Sequence, residues 1–324
     1  YHTALPEYVK VFTEDAGIED LTWRYMTWFY SQMDEVYVPS ISTANQLIEH
    51  GLDTAQIRLY PRGVDIDRFH PSKKNGFFEK CGYFSQIDHC GETTLLYVGR
   101  ISKEKNLHIL CQAFRRLCEK GYLVRLVITG DGPYREEMKA ELAGTPAIFT
   151  GYLEGEDLPA VYASSDVLVF PSATDTFGNV VLEAQASGIP VIVTDEGGPQ
   201  ENIIPGDTGL VVPAQNVDVL VDALSELLDT PCRIRTMGEA ARSYMSKRGF
   251  RQAFEQLWEM YTRTPELDAA NESATTGEIS FPGLQGAIEL AKATGLLNPA
   301  APDQITSLFG RKGMEEINLC NGES

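Results

Sequence analysis

Pro171-Ser172-Ala173-Thr174-Asp175-Thr176-Phe177-Gly178-Asn179-Val180-Val181-Leu182-Glu183-Ala184-Gln185-Ala186-Ser187-Gly188-Ile189-Pro190 is the stretch that decides the fold. The apolar run Val167-Leu168-Val169-Phe170 leads into it and Val191-Ile192-Val193 leads out. Both runs are short, β-branched or aromatic, and bounded by turn residues, the mark of strands buried on both faces. Val180 to Ala186 holds good helix formers and no breaker, so the three pieces read as a βαβ unit. Gly178 stands where strand gives way to helix. Bare backbone N–H groups emerge there at a helix N-terminus, a ready anion site. Two carboxylates, Asp175 and Glu183, flank it eight residues apart.

The same alternation extends outward. Strands are expected at 95–98, 124–129, 148–150, 191–194 and 209–212, separated by helices at 107–119, 134–143, 156–163 and about 217–229. Strands alternating with helices imply a parallel, doubly wound sheet. Residues 233–261 read as two more helices, ending in Phe250, Phe254, Leu257, Trp258 and Tyr261. Upstream, Tyr1 to Pro6 reads as the exit of a strand. Residues 18–34 read as a helix crowded with Trp23, Tyr25, Met26, Trp28, Phe29 and Tyr30. Such a helix suits an interfacial membrane anchor, but with Arg24 its one basic residue it reads as core. A strand follows from Glu35, then a helix over 43–50 capped by Ser42 and stopped by Gly51, then a strand at 57–61.

Composition narrows the function. Nothing approaches the roughly 18 consecutive apolar residues of a membrane span, and no signal peptide is read. The 324 residues suffice for about two domains, and their net charge of -19 argues against a nucleic-acid surface and against general attraction to anionic lipid. A phosphate ligand stays open, because a few placed cations serve it locally. The six cysteines are scattered without CxxC spacing, which fits reduced, cytosolic thiols. Cys81, His89 and Cys90 match no standard zinc spacing. Asp65 and Asp67 form a DxD triplet in a loop where Asp is favoured as a turn residue. Gly130-x-Gly132 lacks the third glycine of a dinucleotide fingerprint, position 135 being Arg. The phosphate candidates are Arg100 and Lys105, on the loop at the carboxyl end of the first strand of this sheet.

These motifs resemble those of the retaining family 4 glycosyltransferases, the glycosyl transferases group 1, whose pattern is Glu, seven residues, Glu. Phe177-Gly178, Glu183-Ala184 and Gly188-Ile189-Pro190-Val191 match; Asp175 departs from the first Glu by one methylene. Gly63-Val64-Asp65 with Phe69, and Gly99-Arg100 with Lys105, match as well. The resemblance covers residues 1 to about 262. It implies an α/β GT-B fold: two Rossmann-like, doubly wound parallel-sheet domains facing a cleft, with the first domain incomplete, since the chain opens at Tyr1 inside what resembles a motif. The expected division is 1–75 for the remaining acceptor domain, 76–92 for a linker, and 93–245 for the nucleotide-sugar domain. Residues 246–262 would be a helix returning to the first domain, and 263–324 a partly disordered tail.

The implied activity moves a hexose from a nucleotide diphosphate sugar, GDP-mannose or a UDP-hexose, to an acceptor hydroxyl with retained anomeric configuration. Glycolipid or polysaccharide synthesis is the implied setting, with a lipid or saccharide acceptor. The alternative is a nucleotide-sugar-binding fragment without catalysis. No cofactor or metal is expected. The implied location is the cytoplasm, peripheral at the inner membrane face. Residue by residue, the resemblance puts His2 and Asp175 at the donor sugar and Arg100 and Lys105 on the diphosphate, the four groups given catalytic roles. Gly99 belongs to the phosphate loop. Phe177, Gly178, Asn179 and Val180 would offer backbone N–H groups, and Glu183 would accept from the ribose hydroxyls. Gly130, Gly132, Gly151 and Tyr152 would shape the base pocket. A glycosidase pair is the rival for Asp175 and Glu183, but a turn and two helical turns between them give no reason to converge across about 5 to 9.5 Å.

Overall fold

Six parallel strands form the larger sheet of the computed structural model, which describes Tyr1, residues 3–83 and residues 92–262. The readings that fall on His2, His89, Cys90 and 263–324 lie outside the described residues. The amino-terminal region holds α1 (Leu5–Thr13), α2 (Ala16–Tyr30), β1 (Val36–Val38), α3 (Ile41–Glu49) and β2 (Ile57–Leu59). Then follow α4 (Phe77–Lys80), β3 (Thr93–Val98), α5 (Leu107–Glu119), β4 (Val124–Thr129), α6 (Arg135–Glu141), β5 (Ala147–Gly151) and α7 (Asp157–Ala163). β6 (Val167–Phe170), α8 (Asn179–Ala186), β7 (Val191–Thr194), β8 (Gly209–Val212), α9 (Val217–Asp229), α10 (Pro231–Met245) and α11 (Phe250–Thr262) complete the order.

The strand order β5-β4-β3-β6-β7-β8 is the doubly wound sheet that the alternation predicts. β3 and β6 are neighbours, with Leu95 opposite Val167 and Leu96 opposite Leu168. The chain winds outward to β4 and β5 on one side and to β7 and β8 on the other, so the topological switch lies between β3 and β6. Every residue of β4, β6 and β7 is buried, which explains why 167–170 and 191–193 read as continuous apolar runs. The core also takes in Phe77 and Phe78, from the stretch read as a linker, and Val64 and Phe69 from the loop after β2. Cys111 packs in this core, and burial pushes its thiol up to about 12, so it stays an inert thiol at neutral pH.

The amino-terminal region departs from expectation in three places. The stretch Tyr1 to Pro6, read as a strand exit, turns to helix before its end: α1 starts at Leu5, with Pro6 in its first turn, where the absent N–H costs nothing. At its start the Tyr1 nitrogen donates to the Tyr37 carbonyl of β1 at 2.9 Å. Ser40, not Ser42, caps α3, its hydroxyl accepting from the Thr43 N–H at 3.1 Å. The aromatic helix α2 is only partly core. Trp23 and Met26 are buried with Val36, Val38 and Leu47, whereas Tyr25, Trp28 and Phe29 are exposed. Aromatic residues at consecutive positions turn about 100° apart, and only one stripe of a helix can face a core.

α11 runs beside the loop after β2. The Phe250 N–H donates to the Val64 carbonyl and the Val64 N–H to the Arg248 carbonyl, each at 3.1 Å. The aromatic spacing of this helix predicts side-chain docking. These bonds join the two through backbone, and Phe250, Phe254 and Leu257 line a cavity with the loop after β2, while Phe250, Phe254 and Trp258 are exposed.

Candidate functional site

Two loops leave the switch point side by side: Gly99 to Asn106 after β3, and Pro171 to Gly178 after β6. Open α/β sheets bind ligands at the carboxyl ends of their strands at such a point. The two loops are joined by an ion pair. The Lys105 ammonium lies 2.8 Å from the Asp175 carboxylate. Lys105 is only 6% exposed, and its ammonium also faces the Tyr8 hydroxyl of α1 at 3.5 Å. Burial alone would lower its pKa; the Asp175 charge and hydrogen bond outweigh that and hold the ammonium above its ordinary range. The Thr174 hydroxyl donates to the Glu104 carbonyl at 3.3 Å, a second tie between the loops.

Gly178 is in the left-handed region at φ 81°, and α8 begins immediately after it with no side chain capping its N-terminus. One turn into α8, Glu183 accepts a hydrogen bond from the Tyr162 hydroxyl at 2.7 Å through Oε2. Among the described residues nothing donates to its Oε1. Burial raises the pKa of Glu183, with the Tyr162 hydrogen bond and the Arg68 charge acting against that rise. Tyr162 is fully buried, and its hydroxyl is held far above its ordinary titration range by the same burial and by the Glu183 charge.

A cavity of about 420 Å³ lies between the exits of β3 and β4, lined by Gly99, Arg100, Gly130, Asp131, Tyr152 and Leu158 among others. Gly130 donates its N–H to the Gly151 carbonyl at 2.9 Å. The glycines Gly130 and Gly132 are explained by close approach: a β-carbon at either would overlap a carbonyl of the neighbouring loop, Gly99 and Ile101 respectively. Tyr152 stands at the mouth with 74% of its surface exposed. A second cavity of about 420 Å³ is lined by Asn179, Glu183, Arg62, Arg68 and residues of α11.

Two family models match the chain: "Glycosyl transferases group 1" over residues 86–244 and "Glycosyltransferase Family 4" over residues 1–68. The chain belongs to the family 4 glycosyltransferases of GT-B fold. The sulfoquinovosyl transferase SQD2 of Arabidopsis thaliana is 34% identical over 78% of this chain and 49% of its own. A GDP-mannose-dependent alpha-mannosyltransferase of Mycobacterium tuberculosis is 35% identical over 64% of this chain and 51% of its own. The chain thus spans about half the length of the curated relatives it matches. Among solved structures, sucrose-phosphate synthase from Thermosynechococcus elongatus superimposes with a TM-score of 0.70 at 25% identity, covering 83% of this chain and 67% of that one. Anabaena HepE in complex with UDP and glucose gives a TM-score of 0.67 at 19% identity, covering 75% and 67%.

In this chain the residues singled out from sequence fall into two groups. Gly99, Arg100, Gly130, Gly151 and Tyr152 meet around one cavity or hold its wall, with Gly132 beside it. Lys105, Asp175, Phe177, Gly178, Asn179, Val180 and Glu183 line the loop and first turns of α8. Arg100 and Lys105 are not equivalent: Lys105 is buried against Asp175, whereas Arg100 is exposed and makes no ion pair among the described residues. Asp65 is spent on its own turn, accepting from the N–H groups of Asp67 at 3.2 Å and Arg68 at 2.9 Å. Sequence reasoning missed Tyr162, Tyr8 and Arg62. The guanidinium of Arg62 lies 5.1 Å from the Phe177 ring centre. No spacing signals these contacts, because Tyr162 is in the preceding crossover and Tyr8 and Arg62 come from the other end of the chain.

Proposed function

We propose that this chain transfers a hexose from a nucleotide diphosphate sugar, GDP-mannose or a UDP-hexose, to an acceptor hydroxyl with retention and without a metal. The observation that carries this reading is the uncapped N-terminus of α8 set between the Lys105–Asp175 pair and the free oxygen of Glu183. Breaking the bond between sugar and phosphate leaves charge on the diphosphate. Lys105, Arg100 and the α8 N–H groups supply the fixed positive potential that stabilises it. With charge compensation built from these groups, a bridging cation is not called for. Asp175 would take hydrogen bonds from the sugar hydroxyls and Glu183 Oε1 from the ribose. The cavity beneath Tyr152 would hold the base. His2 would act at the far face of the donor sugar.

The names of the relatives, mannosyl and sulfoquinovosyl transferases, support a hexosyl donor, and the UDP held by HepE supports a nucleotide. A lipid or saccharide acceptor, a role in glycolipid or polysaccharide synthesis, and a cytoplasmic, membrane-peripheral location belong to the same proposal. Among the described residues no helix is long and apolar enough to cross a membrane.

A thermal shift series with UDP, GDP, ADP and their sugars tests it. One base family present at about 100 times its Kd should add about 2.7 kcal/mol of stability, equally with EDTA and with magnesium. No shift with any nucleotide would overturn the donor site. Binding with no product in a transfer assay would favour the non-catalytic alternative.

A further inference from the structure

The loop that carries Asp175 is held from two sides, and neither hold includes a residue singled out above for the donor. On one side is the glycine pair after β7. The Gly198 N–H donates to the Asp175 carbonyl at 2.9 Å. A β-carbon at Gly197 would lie 2.8 Å from the Asp175 carbonyl oxygen and 3.0 Å from that of Ala173. One at Gly198 would overlap the Thr176 carbonyl and lie 2.9 Å from the Ser40 hydroxyl. On the other side is the start of α3, from the amino-terminal region. The Thr43 hydroxyl donates to the Thr176 carbonyl at 3.4 Å. The loop is therefore sandwiched between two parts of the chain more than 150 residues apart in sequence, Ser40–Thr43 and Gly197–Gly198.

Glu201 joins these two parts directly. Ser40 caps α3 by accepting from Thr43, which leaves the N–H groups of Ile41 and Ser42 without an intrahelical partner. Glu201 sits on the short 3-10 turn Pro199–Asn202 that follows the glycine pair. Its Oε2 accepts from the Ile41 N–H and its Oε1 from the Ser42 N–H, each at 2.7 Å. Both bonds are charge-assisted, and the carboxylate lies at the positive end of a nine-residue helix. The cap of α3 is thus completed by a residue 160 positions away in sequence. It exists only while α3 and the donor loop are together; when they part, the two N–H groups and the carboxylate return to water.

We propose that Glu201 is a long-range strap: a positioning residue that fixes α3 of the amino-terminal region against the Asp175 loop, so that helix capping stabilises the assembled arrangement. Glu201 touches no donor candidate itself and acts through the backbone of the loop. The structural part of the proposal does not depend on what the chain catalyses; the positioning part rests on the transferase reading.

The test uses Glu201→Gln, Ile41→Pro and the double variant in the full chain. Glutamine keeps size but turns an amide N–H₂ toward one of the two donors. Proline deletes the Ile41 N–H at a position made for it: first in the helix, after Ser40 at φ -149° and ψ 157°. Each single change should lower the melting temperature by about 2–4 °C, and the double change by clearly less than the sum, because both remove the same bond. Additive losses, or no loss with Glu201→Gln, would overturn the strap. In a transfer assay Glu201→Gln should lower kcat at least threefold while the nucleotide Kd stays within twofold. Coupled melting temperatures with unchanged kcat would overturn the positioning role and leave the transferase reading intact.

Discussion

Asp175 is the residue at which sequence and structure add most to each other. Its pairing with Lys105 places a buried ammonium and a carboxylate in contact across loops 70 residues apart. Removing the carboxylate strands the ammonium, and stranding a buried charge costs about 3–5 kcal/mol. Asp175→Asn is the cleaner probe, because it retains shape and an acceptor for Lys105. If Asp175 holds the donor sugar, Asp175→Asn should lower turnover at least a hundredfold with nucleotide affinity within about threefold of wild type, a loss confined to the transition state. Turnover and calorimetric binding measured on one preparation decide it. Glu183 makes the opposite kind of prediction. Burial raises its pKa above the ordinary 4.5, so between that value and the folded one the folded chain keeps a proton that the unfolded chain has released. Stability from this group is fully present below about pH 4.5 and is lost as pH rises through the folded value. Glu183→Gln keeps an acceptor for Tyr162 and removes the charge. Its melting temperature should exceed that of wild type at pH 7, with the difference closing as pH falls toward 4. A wild type more stable at pH 7 would show that Arg68 and Tyr162 outweigh burial. The same variant should weaken nucleotide binding if Glu183 holds the ribose.

At the scale of elements, the fold was readable where burial is two-sided. β6 is apolar throughout, β7 but for Thr194 and β4 but for Arg125 and Thr129, because a strand between helix layers has no solvent face, and their bounds come out at or near those expected. The amino-terminal region was less readable for a physical reason. Its strands are three residues each, and β2 is half-buried to exposed, too short for a period to show. Pro6 signals a break in sequence yet occupies the first turn of α1. In the candidate site, the residues on the βαβ unit and the β3 loop were readable because strand ends and glycines mark them. Tyr162, Tyr8, Arg62 and Glu201 were not, since each acts through a contact made only by tertiary packing. Gly198 shows how much an element boundary can carry without a signature of its own. Its φ is an ordinary -79°, so any residue could adopt the backbone. What demands glycine is the Thr176 carbonyl in the way of a β-carbon. Gly198→Ala should therefore cost about 1–3 kcal/mol by overpacking and push the Asp175 loop from its place, lowering turnover along with stability. Gly206→Ala is the control: a β-carbon there meets open space, and only the strain of its φ of 81° remains. Urea unfolding of the two variants beside wild type measures the difference.

For the whole molecule the decisive quantity is charge. A net -19 on 324 residues means that the folded chain repels itself on average, although its candidate donor site gathers Arg100, Lys105 and a helix N-terminus. Local cations and global acidity have different reach. The buried Lys105–Asp175 contact is weakly screened, whereas repulsion between exposed charges falls away over a Debye length of about 8–10 Å at 0.1–0.15 M salt. Raising sodium chloride from 10 to 150 mM at about pH 7 should therefore stabilise the chain, by about 2–4 °C if the relief is near 1 kcal/mol. This bears on the donor test, because magnesium is itself a strong screening ion. A melting temperature that rises with magnesium alone, and equally with sodium at matched ionic strength, reports relief of self-repulsion. Only a magnesium effect that requires nucleotide and exceeds the salt control reports a metal at the diphosphate. The proposed metal-free reaction expects no such excess, and nucleotide stabilisation that survives EDTA at constant ionic strength. An excess seen only with magnesium and nucleotide together would mean that Arg100, Lys105 and α8 do not suffice to neutralise the leaving group.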